Sequence, residues 1–182
     1  MMKKVILTIL TMFVGISFYA KEIEIFGEIN DLMVRKITKQ LSKKVKDDEV
    51  LNVSINSPGG SVLAGYAIID AINRYPAKEK NYYVVGIALS MGAAILANGE
   101  KRHRFAGKNS FILVHDVSSG TIGKLDQMKN DIKFTQFLHN KLVKLFVDAT
   151  GKSVEEVEKA MSYDHWMSVE EAMEFGIVDG IY

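Results

Sequence analysis

Short apolar runs bounded by turn residues recur along this chain, and between them apolar positions fall at helical spacing. Val50 to Ile55 reads as a buried strand, stopped by the proline of Ser57-Pro58-Gly59-Gly60. Leu63, Ala67, Ile68, Ala71 and Ile72 then predict a helix. Tyr83 to Leu89 is a second strand, feeding a helix that starts near Ser90, and Ser110 to His115 is a third. A long helix is expected from about Lys124 to Thr150. Leu125, Met128, Ile132, Phe137, Leu138, Leu142, Leu145 and Phe146 give it more apolar surface than a lone solvent-facing helix should expose. It therefore packs on another subunit or is buried in its own domain. Ala172 to Val178 reads as a helix capped by Gly176 that leads into a closing strand. The alternation favours an α/β domain with helices covering a largely parallel sheet.

With 182 residues, 48% of them hydrophobic, the chain can bury one full core, and no repeat or proline-rich linker divides it. A formal net charge of +1 gives no reason to expect nucleic acid as a partner. The absence of cysteine excludes disulfides and a lipidated cysteine anchor but leaves the compartment open. The basic turn Lys101 to Arg104 reads as a solvated loop or a surface contact. At the N-terminus Lys3 and Lys4 precede an apolar stretch from Val5 to Ala20, broken only by Thr8, Thr11, Gly15 and Ser17. Residues 1–20 thus have the charge and length of a secretory signal peptide or short membrane anchor. No clean small-x-small cleavage site precedes Ala20, where Phe18 intrudes; Gly15-Ile16-Ser17 is an alternative. This favours export or inner-membrane association over a cytoplasmic enzyme with a propeptide.

The candidate chemistry begins at Ser90. A serine hydroxyl is a poor nucleophile at neutral pH, so it needs a base, a group that orients the base, and donors for the developing oxyanion. Ser90 follows its strand directly, in a turn that lifts the hydroxyl clear of the sheet, and small residues follow it in Gly92-Ala93-Ala94. The setting is a cousin of the nucleophile elbow, with Ala88 where that motif has glycine. The Met91 N–H is one natural oxyanion donor, and Gly60 in the Pro-Gly-Gly turn is the other. His115 ends an apolar strand and precedes a glycine-containing loop, which puts it at a sheet edge beside Ser90. His103, His139 and His165 look ordinary. No metal-ligand spacing such as HExxH occurs, so no cofactor or metal is expected in this chain. Residue spacing leaves the third member open among Asp116, Asp126, Asp131, Asp164 and Asp179.

Several segments, in one order, resemble the proteolytic subunit of the Clp protease, the ClpP family of self-compartmentalising serine peptidases. They are Phe26 to Asp31, Ile55 to Gly60, Ser90 to Ala93, Lys101 to Phe105, Asn109 to His115, Thr150-Gly151, and Met167 to Ala172 with Gly176 to Asp179. The resemblance spans Glu22 to Tyr182. It implies an α/β fold of ClpP/crotonase-like repeated β-β-α units with a protruding handle helix, a protease domain over residues 21–182, and a handle at about 116–150. It also implies Ser90 as nucleophile, His115 as base and Asp164 as the orienting carboxylate, with Gly60 and Met91 as the oxyanion hole. The expected activity is cleavage of peptides or unfolded polypeptides through an acyl-enzyme, with a preference for apolar side chains. The expected assembly is a homo-oligomer, a heptameric ring or double ring, served by a Clp-type AAA+ ATPase. The chain has no ATP site of its own, because the P-loop-like Gly151-Lys152-Ser153 has Phe146 where the first glycine belongs.

Three departures stand out. Asp116-Val117 replaces the family's Gln-Pro after the histidine, Tyr163 replaces an arginine that helps join rings, and Asn52 and Ser54 stand where aromatics help form the ATPase-docking cleft. The sequence admits two other readings. One is a membrane-associated signal-peptide-peptidase type with a Ser-Lys dyad, for which Lys129, Lys133, Lys141 and Lys144 are available. The other is a catalytically silent ring subunit. A crotonase would need an acyl-CoA pocket that no sequence feature demands.

Overall fold

β-branched and apolar residues decide which strands lie inside. In the computed structural model, which describes residues 20–42 and 49–182, β1 (Ala20–Phe26) buries Ile23 and Ile25 and turns Glu22 and Glu24 outward. That alternation suits an edge strand with one covered face. Its neighbour β2 (Val50–Ser57) is buried on both faces, with Leu51, Val53 and Ile55 beside Ser54 and Ser57. The remaining strands are β3 (Glu79–Leu89), β4 (Arg104–Ala106), β5 (Phe111–Val114), β6 (His165–Met167) and β7 (Gly180–Ile181). The helices are α1 (Asp31–Leu41), α2 (Val62–Arg74), α3 (Met91–Ala97), α4 (Leu125–Thr150), α5 (Val154–Met161) and α6 (Val169–Phe175). The mixed α/β architecture is as expected: strands and helices alternate except where β4 and β5, and then α4 and α5, follow one another.

The sheet runs β1-β2-β3-β4-β7, all parallel, while β5 pairs in parallel with β3 and antiparallel with β6. One strand serves both β4 and β5 because β3 changes partners midway. Tyr82 to Val84 pair with β4, and Ile87 to Leu89 pair with β5. Between them Gly86 has φ +94°, a conformation that a side chain would strain. The buried Ser110 hydroxyl accepts from the Gly86 amide at 3.2 Å and donates to the Val84 carbonyl at 3.0 Å. Those two bonds replace the ladder contacts that the bend gives up. The core lies between the sheet and α1, α2 and α3, and every residue of α3 is buried.

The long helix α4 has two unlike halves. Its C-terminal half is buried through Leu142, Val143, Phe146 and Ala149, whereas Leu125, Ile132, Phe134 and Phe137 on its N-terminal half are exposed. The closing strand expected after the glycine-capped α6 is Gly180–Ile181, reached once the amides of Ile177 and Val178 have turned back to the Ala172 carbonyl and wrapped the helix end. One expectation needs correction. The basic turn is not uniformly solvated, since Arg104 is 1% exposed. Its guanidinium forks onto Asp179 at 2.6 and 2.8 Å and donates to the Ala149 carbonyl at 3.1 Å, tying β4, α4 and the C-terminal segment together. Burial alone would raise the Asp179 carboxyl. The bonds and charge of Arg104, with the Arg102 and Arg104 amides, outweigh it and hold the group below its usual range.

Residues 1–19 lie outside the described residues, and with them nearly all of the segment read as a signal peptide or anchor. Among the described residues no helix is long and apolar enough to cross a membrane.

Candidate active site

Strand register brings three distant residues together. β3 and β5 run in parallel with Leu89 opposite Leu113, so Ser90 and His115 leave the same sheet edge side by side. The Ser90 amide donates to the Leu113 carbonyl at 2.9 Å and fixes that juxtaposition. β6 runs antiparallel with His165 opposite Val114, so the residue before it, Asp164, arrives beside His115. His115 Nε2 lies 2.8 Å from Ser90 Oγ, and its Nδ1 lies 3.2 Å from Asp164 Oδ1. The first distance is that of a good hydrogen bond. The second is longer than a charge-assisted N–H···O bond usually is, and the Asp164 side chain is 70% exposed.

The local backbone explains why the serine is available. Ser90 occupies the N-cap position of α3 with φ 53° and ψ −118°, a conformation rarely taken by a residue with a side chain. A serine at that position ordinarily accepts a hydrogen bond from the helix's own first turn. Ser90 makes none, and its hydroxyl points to His115 instead.

The Pro-Gly-Gly turn is built against this elbow. The buried Ser57 hydroxyl donates to the Gly27 carbonyl at 2.6 Å and accepts from the Gly59 amide at 3.1 Å. Gly59, at φ +94°, leaves no room for a Cβ, which would fall 2.8 Å from both the Leu89 carbonyl oxygen and Ser90 Cβ. A Cβ on Gly60 would lie 2.3 Å from the Ile29 carbonyl oxygen. The two glycines therefore let one loop fit between the β1–α1 junction and the serine. Gly60 and Met91 both line the cleft that holds Ser90 and His115, together with Val62, Leu142 and Phe146. Asp116 and Ser118 also line it, so its walls mix polar and apolar groups.

The other carboxylates are engaged elsewhere. Asp116 bonds His139, Asp131 accepts from Thr121, Asp126 sits 3.8 Å from Lys129, and Asp179 holds Arg104. Among the candidate dyad lysines, Lys144 pairs with Asp148 at 2.7 Å and Lys141 lies over the Tyr66 ring. The position a lysine would need beside Ser90 Oγ is filled by the His115 imidazole. His103 bonds Asn81, and His165 packs between Tyr163 and Phe175. His139 is less ordinary than its place on a helix suggested, because it grips the residue that follows His115. Its signal was the unusual Asp116 rather than anything near residue 139. Gly86 and Ser110, which aim the end of β3, carried no distinctive sequence signal.

Sequence comparisons place the chain in a family. A family model described as Clp protease matches residues 11–182. The chain is 37% identical over 161 residues to the ATP-dependent Clp protease proteolytic subunit 2 of Bacillus licheniformis, covering 87% of this chain and 84% of that one. It is 38% identical over 159 residues to the ATP-dependent Clp protease proteolytic subunit of Leuconostoc citreum, covering 85% and 79%. The family match begins inside the N-terminal apolar stretch, and neither relative lends support to a signal peptide there. From the matched length and these identities, the chain belongs to the Clp protease family.

Proposed function

We propose that this serine endopeptidase hydrolyses peptide bonds through an acyl-enzyme formed on Ser90. The observation that carries the reading is the hydrogen-bonded line from the strained Ser90 through His115 to Asp164. Ser90 Oγ attacks the scissile carbonyl carbon while His115 Nε2 takes its proton. Asp164 holds the Nδ1–H tautomer and favours the imidazolium that forms. The negative oxygen of the tetrahedral intermediate is received by the amides of Gly60 and Met91. His115 then gives its proton to the leaving amine as the C–N bond breaks. A water molecule repeats the sequence on the ester, restoring the serine and releasing the new carboxyl terminus.

The reaction uses only groups of this chain. ATP enters this account only through a separate Clp-type ATPase that unfolds the substrate. The Val62, Leu142 and Phe146 part of the cleft wall suits apolar side chains of a polypeptide. The exposed Leu125, Ile132, Phe134 and Phe137 suit a homo-oligomeric ring, with the handle helix as contact. Residues 21–182 form the protease domain of this reading. Replacing Ser90 by alanine abolishes peptide hydrolysis and fluorophosphonate labelling and leaves the native particle mass unchanged. Undiminished hydrolysis in that variant overturns the nucleophile assignment.

A further inference from the structure

The imidazole of His115 is held more loosely by Asp164 than by Ser90, and the chain beyond it is held by side chains alone. β5 ends at Val114, and among the described residues no backbone-to-backbone hydrogen bond involves residues 116–123. Asp116 is the first anchor. Its Oδ1 accepts from the Val117 amide at 2.6 Å and lies 2.6 Å from Nδ1 of His139, on the handle helix α4. The His139 side chain is only 16% exposed. Its Nε2 faces a second carboxylate, Glu158 Oε1 on α5, at 4.0 Å. Farther along, Ser119 bonds Thr135 and Thr121 bonds Asp131, so the segment is laced along the same helix.

We infer that His139 is a positioning residue for catalysis: through Asp116 it fixes the peptide unit next to His115 and so couples the handle helix to the placement of the catalytic imidazole. The inference rests on the triad reading above. A contact of 2.6 Å between a ring nitrogen and a carboxylate is at the short end for charge-assisted hydrogen bonds. It is also shorter by 0.6 Å than the Asp164 contact on the other face of the site, 2.6 Å against 3.2 Å. Asp116 and Val117 themselves line the cleft beside Ser90, so displacement of Asp116 moves both the base and the cleft wall.

The test uses the full assembled chain with Asp116→Ala, His139→Ala, the double variant, and His139→Asn, whose amide nitrogen can stand where Nδ1 does. Each is assayed for short-peptide kcat and KM, fluorophosphonate labelling rate and native particle mass. Asp116→Ala and His139→Ala each lower kcat and labelling about tenfold, the rate equivalent of one charge-assisted hydrogen bond. KM changes little, the double variant is no slower than the slower single variant, and His139→Asn recovers most of the rate. Unchanged kcat in particles of normal mass, losses that multiply in the double variant, or a loss in KM alone overturns the inference. If His139→Ala fails to assemble, an assembled His139→Asn at wild-type rate supports it and one as slow as Asp116→Ala overturns it. Ser90→Ala and His115→Ala in the same series report on the triad separately: should they retain labelling, it is the triad reading that fails.

Discussion

Substituting alanine for Gly59 separates backbone strain from steric displacement of the nucleophile. The added Cβ would sit 2.8 Å from the Leu89 carbonyl oxygen, 2.8 Å from Ser90 Cβ and 3.1 Å from the Met91 nitrogen. All three atoms belong to the elbow, and two of them are backbone that cannot swing aside. Loop and elbow must part by about 0.6 Å to restore an ordinary contact. Adopting φ +94° costs a further ~1 kcal/mol in an alanine. Because about 1 Å of misplacement can cost a hundredfold in rate, kcat falls by about 10- to 100-fold. Gly86→Ala is the matched control. It has the same φ of +94°, but its Cβ meets nothing closer than Asn56 Oδ1 at 3.4 Å. It therefore loses about 1 kcal/mol of stability, some 2–4 °C in Tm, and keeps kcat within about twofold. Peptide hydrolysis, fluorophosphonate labelling and thermal unfolding of both variants decide the matter. A Gly59→Ala enzyme with wild-type kcat, or a Gly86→Ala enzyme equally impaired, refutes the claim that the Pro-Gly-Gly loop is fitted against Ser90.

Arg104→Met leaves Asp179 without its fork and costs about 3 kcal/mol, while Lys101→Ala, on the exposed part of the same turn, stays within about 0.5 kcal/mol in denaturant unfolding. Since the folded-state pKa of Asp179 is depressed, its contribution to stability is fully present above the ordinary carboxylate value and is lost as pH falls through the folded value. Asp179→Asn accordingly flattens the acid side of the stability profile, and an unchanged acid slope contradicts the pairing. Ser168→Ala removes the hydroxyl that accepts from the Glu171 amide at the start of α6, keeps the Ser168 backbone amide's bond to the Glu171 carboxylate, and lowers stability by about 1 kcal/mol in thermal unfolding. Phe134→Ser with Phe137→Ser reduces the native particle mass if the exposed face of α4 is an assembly contact, and leaves it unchanged if that face meets only water.

Much of the fold was legible because the strands are short apolar runs with clear stops: Pro58 ends β2, and the serine elbow ends β3. Polar residues hid the first part of β3, since Glu79, Lys80 and Asn81 pair with β2 although their side chains lack a strand signature. The burial of Arg104 was hidden for a similar reason, because its partner Asp179 lies 75 residues away and only the fold brings them together. Ser90 and His115 were readable from local context, each at the end of an apolar run. Asp164 was not, as its approach to His115 depends on the antiparallel pairing of β5 with β6, and only the family resemblance singled it out from four other aspartates. The role of Gly86 emerges only once β3 is seen to serve two partners. The apolar content of α4 was legible, but periodicity could not say that only its C-terminal half is buried in this chain while Leu125, Ile132, Phe134 and Phe137 are exposed.

Activation of Ser90 by His115 is what makes this chain a peptidase. Intact-mass and peptide-mapping analysis of the assembled protein after fluorophosphonate treatment tests this most directly. One adduct per chain on Ser90, absent from His115→Ala, is the predicted result; an adduct on another residue, or undiminished labelling of Ser90 without His115, contradicts it.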